Sequence, residues 1–277
     1  MKIVISVFFL SIGLISAQND KSADEDRTIA QNFFYDLGSM VEGMGFAYSR
    51  PIHWQKNDFT KLGGVTITAA GLFAIDEESQ AFFNRHRADV PRFLLDYGWY
   101  YGNPQNNYML TGAVYAIGLF SANEKLRRVG VLLISSASAT GLLQQISKSV
   151  VGRARPRSGN GKDTFSPFSS DKDFHSFPSG HAALAFSNAH AIAKQFGSWW
   201  IKAPVYTLGI IPGLTRIYER AHWASDVFLS WALRFFVVES IDLYLNRKYS
   251  RTSKTTRKIS NMNVALLGTS MRLTYKF

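Results

Sequence analysis

The 277-residue sequence predicts an all-α protein, a helical bundle of about six core helices with an active site at one rim of the bundle. Three observations carry that expectation. Apolar segments recur at 62–75, 107–121, 126–147, 181–196, 203–218 and 222–245, each long enough for several helical turns. Two of them show helical spacing plainly: Leu126, Val129, Leu133 and Ala137 share one face, as do Val227, Trp231, Phe235, Val238, Ile241 and Leu245. Strand-like alternation is rare before residue 260.

Taken in order, residues 1–17 have the layout of a secretory signal peptide. Lys2 precedes an apolar run from Ile3 to Ile15, and Ser16-Ala17 marks the cleavage site, with an uncleaved anchor as the alternative. Either places the protein in the periplasm or cell envelope. Residues 18–60 read as a polar N-terminal extension, irregular apart from one short helix near Phe33–Met40. The helical domain occupies 61–245. Within it, the aromatic stretch 97–108 ("YGWYYGNPQNNY") reads as core or as an interfacial belt. Residues 246–277 form a basic tail: 246–260 carry six basic residues and no acid, which suits a solvated segment or contact with anionic lipid. The final "MRLTYKF" alternates like the last strand of an outer-membrane barrel, yet one strand cannot close a barrel.

Composition narrows the chemistry. Cysteine is absent, which excludes disulfides, zinc–thiolate sites and cysteine nucleophiles. The formal charge of +11 comes without any zinc-finger or RNA-recognition pattern, so phosphate, as substrate or as an anionic membrane surface, is the expected partner rather than nucleic acid.

Three clusters then converge. "KSVVGRARPR" places six intervening residues between Lys148 and Arg155-Pro156. "SFPSGHAALAF" reads as a helix start, with Ser179 as the N-cap candidate and Gly180 allowing close backbone approach, just before His181. "TRIYERAHWASD" spaces Arg216, His222 and Asp226 by five and three residues. In an up-and-down bundle two consecutive crossings return the chain to one side, so these helix ends share a rim. Helix N-termini suit anions, and Lys148, Arg155 and Arg216 can hold phosphoryl oxygens and neutralise transition-state charge. His222 and Asp226 share a helical face, so the carboxylate can fix the ring's tautomer and leave the other nitrogen as nucleophile. His181 is the candidate general acid, and the backbone at Ser179 and Gly180 completes the cradle. A metal site fits less well, because three cations beside it repel the ion. Of the remaining histidines, His53, His86 and His190 fall outside the pattern, and His175 is near enough in sequence to approach the pocket.

The series K-x6-R-P, P-S-G-H and R-x5-H-x3-D resembles the signature of the type 2 phosphatidic acid phosphatase and vanadium haloperoxidase superfamily. It covers residues 148–226, and the helical context extends it over 61–245. The family usually carries Ser before the third-cluster arginine; Thr215 retains the hydroxyl here. The resemblance implies a phosphohistidine on His222, with His181 as acid and then as base toward water. It also implies phosphate contacts from Ser179 and Gly180 and no metal or other cofactor. It implies a phosphatase acting on phosphomonoesters or pyrophosphates, including lipids such as phosphatidate or an isoprenyl diphosphate. A soluble non-specific acid phosphatase, a vanadium-dependent haloperoxidase and a non-catalytic lipid-binding envelope protein are the alternatives. Polar residues in 126–147 (Ser135, Ser136, Gln144) and in the last helix (Arg234, Glu239, Asp242) are unusual for lipid-facing walls. They favour a soluble or peripherally attached domain over a spanning one.

Overall fold

The computed structural model describes the backbone of residues 27–260, 262–267 and 270–275, and the side chains of residues 27–250. The signal-peptide reading at 1–17 lies outside the described residues. Nine α-helices follow one another among them: α1 (Ile29–Ser49), α2 (Lys56–Ala74), α3 (Asp76–Arg85), α4 (Arg92–Gly102), α5 (Pro104–Phe120), α6 (Glu124–Val151), α7 (Gly180–Ala193), α8 (Trp199–Tyr218) and α9 (Ala224–Ser260). The six apolar segments of the sequence correspond to α2 and α5 to α9, and the fold is a helical bundle as expected.

Helix α6 organises the packing. Asn123 caps it by accepting the Leu126 N–H at 2.9 Å. Leu126, Val131, Leu132 and Leu133 are at most 1% exposed, and each such side chain taken out of water contributes about 1.5–3 kcal/mol. Ser135 and Thr140 are also buried, and their hydroxyls donate to the carbonyls of Val131 and Ser136 one turn back. That pairing explains how a helix rich in hydroxyls sits in the core. By length and composition α6 is also the one helix among the described residues apolar enough to cross a membrane, although 56% of its most apolar window is buried inside the protein. Helix α5 folds back on it through Gly118 and Gly130, where an added Cβ would lie 2.4 Å from the Arg127 nitrogen and 2.6 Å from the Tyr115 Cα.

The region read as an irregular extension differs from the expectation. It contains α1, a 21-residue helix opened by a capping box between Thr28 and Gln31. Its inward stripe is Asn32, Asp36, Ser39, Gly43 and Ala47. Fully buried Asp36 pairs with Arg127 of α6 at 2.7 Å and accepts hydrogen bonds from Tyr115 (3.1 Å) and Tyr249 (2.6 Å). Those contacts tie α1, α5, α6 and α9 together. The basic tail also differs in part: α9 continues unbroken to Ser260. Beyond it, Met262–Leu267 pairs antiparallel with Ser270–Tyr275, so the terminal alternation forms half of a hairpin, with Phe277 outside the described residues.

His190 belongs to the rim at the C-terminal end of α7. Its ring is 2.7 Å from the Tyr206 hydroxyl and 3.0 Å from Glu239, which also binds Lys194 at 2.6 Å. Lys194 and Arg128 meet Asp242 at 3.2 and 2.5 Å. This lattice fastens α6 to α9 at the end away from His181.

Candidate active site

Each helix end at the opposite rim has a local reason to stop there. Gly152 closes α6 in the left-handed conformation, φ 58°, one turn after Lys148, and its N–H bonds the Lys148 carbonyl at 3.1 Å. A Cβ at this position would fall 2.0 Å from the Ser166 carbonyl oxygen, so the turn needs glycine on two counts. The loop 153–179 then leads to Ser179 and the start of α7. The last turn of α8 carries Thr215 and Arg216, a tight turn through Arg220 delivers His222, and α9 starts at Ala224. Lys148, Ser179, Arg216 and His222 therefore lie within a turn of helix ends.

His222 is 3% exposed, and its Nδ1 lies 2.5 Å from the Ser176 carbonyl oxygen. A carbonyl only accepts, so Nδ1 carries the proton and Nε2 keeps its lone pair. The expected partner of that ring was Asp226, and here the structure corrects the sequence reading. The Asp226 carboxylate accepts from Ser176 Oγ (2.6 Å), the Trp223 N–H (3.1 Å) and Arg153 Nη1 (2.7 Å). The side chain shares the face but acts one residue removed, by fixing Ser176, whose carbonyl fixes the ring.

Arg153 was not singled out by the sequence, nor was its second partner. Nη2 binds Asp76 at 2.8 Å, Nη1 also reaches Ser225 Oγ at 2.8 Å, and Nε donates to the Lys162 carbonyl at 3.1 Å. Asp76 in turn accepts the Ser225 N–H at 3.0 Å. The guanidinium lies 4.6 and 5.3 Å from the ring centres of Phe73 and Trp223. This buried Asp76–Arg153–Asp226 chain joins α3, the 153–179 loop and α9 behind the histidine.

The cations stand in front of it. Arg155 is oriented by three carbonyls, donating from Nε to Lys172 (3.0 Å), from Nη1 to Ala221 (3.2 Å) and from Nη2 to His175 (3.1 Å). Arg216 is 3% exposed, pairs with Glu219, and lies 5.0 Å from the Trp99 ring. Burial, and then the charge of Arg155, lower the Lys148 ammonium to about 8. His181 is lowered to about 3, first by burial and then by Arg216, Lys148 and Arg155. His222 is also pushed well down, by burial and then by Arg155 and Lys148. Lys148 and Arg155 act on both histidines and Arg216 acts on His181, so these groups lie near one another.

Three buried polar atoms at this rim have no hydrogen-bond partner: Ser179 Oγ, His181 Nε2 and Arg216 Nε. Buried polar atoms are nearly always satisfied, and a hydroxyl, an imidazole and a guanidinium N–H together fit an oxyanion. Ser179 occupies the N-cap position without using its side chain to cap, which leaves that hydroxyl available. Its backbone N–H differs from the expectation, since it donates to Ser230 Oγ at 2.8 Å. Gly180 packs against Gln144, where a Cβ would lie 2.6 Å from the amide nitrogen. His175 contributes its carbonyl to Arg155, while its ring meets the Ser169 carbonyl at 3.0 Å. Among the described residues no group of three or more His, Asp or Glu side chains is arranged to hold a metal ion.

A wall of the site comes from α4, which the sequence did not connect to it. A Cβ on Gly98 would lie 2.0 Å from Thr215 Oγ1, and one on Gly102 would lie 2.6 Å from the His181 Cβ. The helix therefore presses directly on both motif residues. Between the two glycines Trp99 lies 5.2 Å from the His181 ring, centre to centre, and remains 48% exposed. Gly98→Ala is expected to push α4 away from α8 at a cost of about 1–3 kcal/mol, read as a lowered melting temperature together with reduced turnover.

Comparison with known proteins agrees with this arrangement. Residues 129–247 match the PAP2 superfamily model and contain every residue of the three clusters. The chain is similar to a lipid A 1-phosphatase of Rhizobium etli, 34% identical over 106 residues, 38% of this chain and 45% of that protein. A lipid A 1-phosphatase of Porphyromonas gingivalis is 39% identical over 67 residues, 24% of this chain and 15% of that protein. An undecaprenyl-diphosphatase of Sulfolobus acidocaldarius is 30% identical over 116 residues, 40% and 52% of the two. The matches thus span about half or less of these relatives. The crystal structure of a transmembrane PAP2 type phosphatidylglycerolphosphate phosphatase from Bacillus subtilis superposes with a TM-score of 0.51 at 21% identity, over 68% of this chain and 96% of that one. Signature, fold and family match coincide on one stretch of sequence, residues 129–247, which resembles the PAP2 superfamily.

Proposed function

We propose that the protein is a phosphatase that cleaves phosphomonoesters or pyrophosphates of lipids through a phosphohistidine on His222. The observation that carries this reading is the His222 ring, with Nδ1 held by a carbonyl, Nε2 left with its lone pair, and Arg155 and Lys148 close by. Nε2 attacks phosphorus while Lys148, Arg155 and Arg216 hold the equatorial oxygens. The bond to the leaving oxygen breaks as His181 protonates it, and the alcohol or phosphate leaves. Water then attacks the phosphohistidine, His181 takes its proton, and inorganic phosphate departs with the His222 ring restored. The three side-chain cations supply the charge neutralisation that a metal provides elsewhere.

Burial, and then the charges of Arg216, Lys148 and Arg155, hold His181 neutral. A phosphate dianion offsets those charges, so the histidine gains its proton as the substrate binds. Lys148 behaves oppositely in solution. Its ammonium is lost as pH rises through about 8, and kcat/KM, which reports the free enzyme, is expected to fall above that pH. The descending limb lies higher in kcat, because bound phosphate favours the ammonium. A pH profile of Lys148→Arg, whose cation does not titrate in this range, checks the assignment: its alkaline limb moves upward.

Lipid as the substrate class rests on the relatives and on the surface of α1. That helix buries Asn32, Asp36 and Ser39 and exposes Phe34, Leu37 and Val41. A helix with its apolar side outward suits contact with lipid, as do Ile52, Ile67 and Trp200, each more than three-quarters exposed. The signal-peptide layout at residues 1–17 supports action in the cell envelope. The test is phosphate release by the full chain in lipid vesicles containing phosphatidate or an isoprenyl diphosphate. Activity that persists in EDTA and is blocked by vanadate is the expected result. Absence of turnover with both lipids and with p-nitrophenyl phosphate overturns the reading. Bromide oxidation by the vanadate-loaded protein with peroxide would support the haloperoxidase alternative instead.

A further inference from the structure

A groove opens beside the phosphate site, between α3, the turn at Arg87–Asp89, α4 and α8. Phe82, Val90, Leu94, Ile211, Leu214 and Thr215 line it, and it encloses about 380 Å³. Resting on the phosphatase reading, we propose that this groove takes the hydrocarbon chain of the substrate, so that the enzyme selects phosphates of long-chain alcohols over small ones.

Continuity with the site supports that occupant. Thr215 lines the groove, and the next residue, Arg216, carries the guanidinium of the cradle. Helix α4 walls both spaces, with Leu94 in the groove and Trp99 over His181 and Arg216 just over a turn later. Gly98 presses on Thr215 and holds the two walls together. The groove and the cradle thus share the walls formed by α4 and α8. The lining is apolar apart from Thr215, His86, Asp89 and the Tyr218 hydroxyl. The His86 ring is engaged with Phe82, 4.4 Å away between centres, and its Nδ1 lies 2.9 Å from the Phe82 carbonyl. The volume falls in the usual range for a small-ligand site, about 300–1,000 Å³. Phe82, Val90 and Leu94 all lie outside residues 129–247, so the groove is built by setting this chain's own α3–α4 segment against the family's catalytic core.

The experiment uses n-alkyl phosphates from butyl to decyl, kept below micelle formation, with p-nitrophenyl phosphate as the short reference. Each methylene removed from water is worth up to roughly fourfold. Wild-type kcat/KM is expected to rise at least about tenfold across the series. Leu94→Trp and Ile211→Trp, which fill the groove, flatten that rise and leave p-nitrophenyl phosphate within about twofold. A flat wild-type series, or a rise that survives in both variants, overturns the groove and leaves the phosphatase intact. Failure of the wild type on every substrate overturns the phosphatase reading and the groove with it. Inhibition of the wild type by decyl- and butylphosphonate makes the same comparison without substitution. Tighter binding of the decyl compound supports the groove, and equal binding overturns it.

Discussion

His222→Ala is expected to reduce turnover of every phosphate substrate by about 10³-fold or more while the protein stays folded. The two effects separate because the ring's structural role is small. It makes one hydrogen bond, to the Ser176 carbonyl, and losing such a bond costs about 1 kcal/mol. Ser176 remains fastened by its N–H to the Arg153 carbonyl at 3.0 Å and by its hydroxyl to Asp226. A melting temperature within a few degrees of wild type, together with collapsed kcat, therefore identifies the nucleophile. Wild type exposed to radiolabelled substrate and quenched in alkaline detergent should carry acid-labile, base-stable label that His222→Ala lacks. Equal labelling of the two proteins would remove His222 from the mechanism. His181→Ala supplies the counterpart. General acid catalysis is worth about 10²–10⁴, and an acidic phenol needs it least. The loss should therefore be large for alkyl phosphates and small for p-nitrophenyl phosphate. Equal losses on both would mean that His181 serves binding rather than proton transfer.

The residues that were legible in the sequence are those whose spacing fixes their position. Lys148, Arg216 and His222 sit within a turn of helix ends, and helix ends in a bundle collect at rims. Chemistry-bearing letters there point to a shared pocket before any coordinates are known. The parts that stayed hidden have different causes. Asp76 and Arg153 are 77 residues apart, and no local pattern announces a buried ion pair across that distance. Asp226 carries a spacing that does imply a histidine partner, yet a nearer donor set intervenes, since Arg153 and Ser176 saturate its oxygens first. Helix α1 was legible only as a short helix near Phe33–Met40, because the expected polarity is reversed. Its period of 3.6 is present, but the buried stripe is polar and small while the apolar residues face outward. Its apolar contribution to the core is limited to Ala47 and the partly buried Tyr35, Met40 and Met44. Helix α4 was read from its aromatic content, and half of that reading holds: Tyr97 is buried and stacks on Tyr101, 5.4 Å between centres. The signal that was available is the four-residue spacing of Gly98 and Gly102, which puts two missing side chains on one helical face and permits the close approach to Thr215 and His181.

The same network makes Arg153 the position where stability and catalysis should fail together. Arg153→Ala leaves Asp76 and Asp226, each at most 1% exposed, without the cation that lies 2.8 and 2.7 Å from them. Removing one partner of a buried ion pair costs about 3–5 kcal/mol, because the remaining charge has neither water nor a counterion. Here two carboxylates are stranded, and like charges in one apolar site repel, so the upper end of that range applies. The flanking rings of Phe73 and Trp223 lose their contact as well. Arg153→Lys keeps one charge but cannot span both carboxylates, since an ammonium lacks the planar fork that Nη1 and Nη2 present. It should recover part of the stability and less of the activity. Catalysis suffers because the Arg153 carbonyl and Asp226 together hold Ser176, and Ser176 holds the His222 tautomer. In Arg153→Lys the expected signature is therefore lowered kcat with little change in KM, since Lys148, Arg155 and Arg216 still meet the phosphate. Asp76→Asn should be milder than Arg153→Ala on both counts, because it leaves Arg153 paired with Asp226. Thermal melts and steady-state kinetics on these three variants give the ranking. An Arg153→Ala protein that melts with the wild type and retains its kcat would show that the ion-pair chain supports neither the fold nor the histidine.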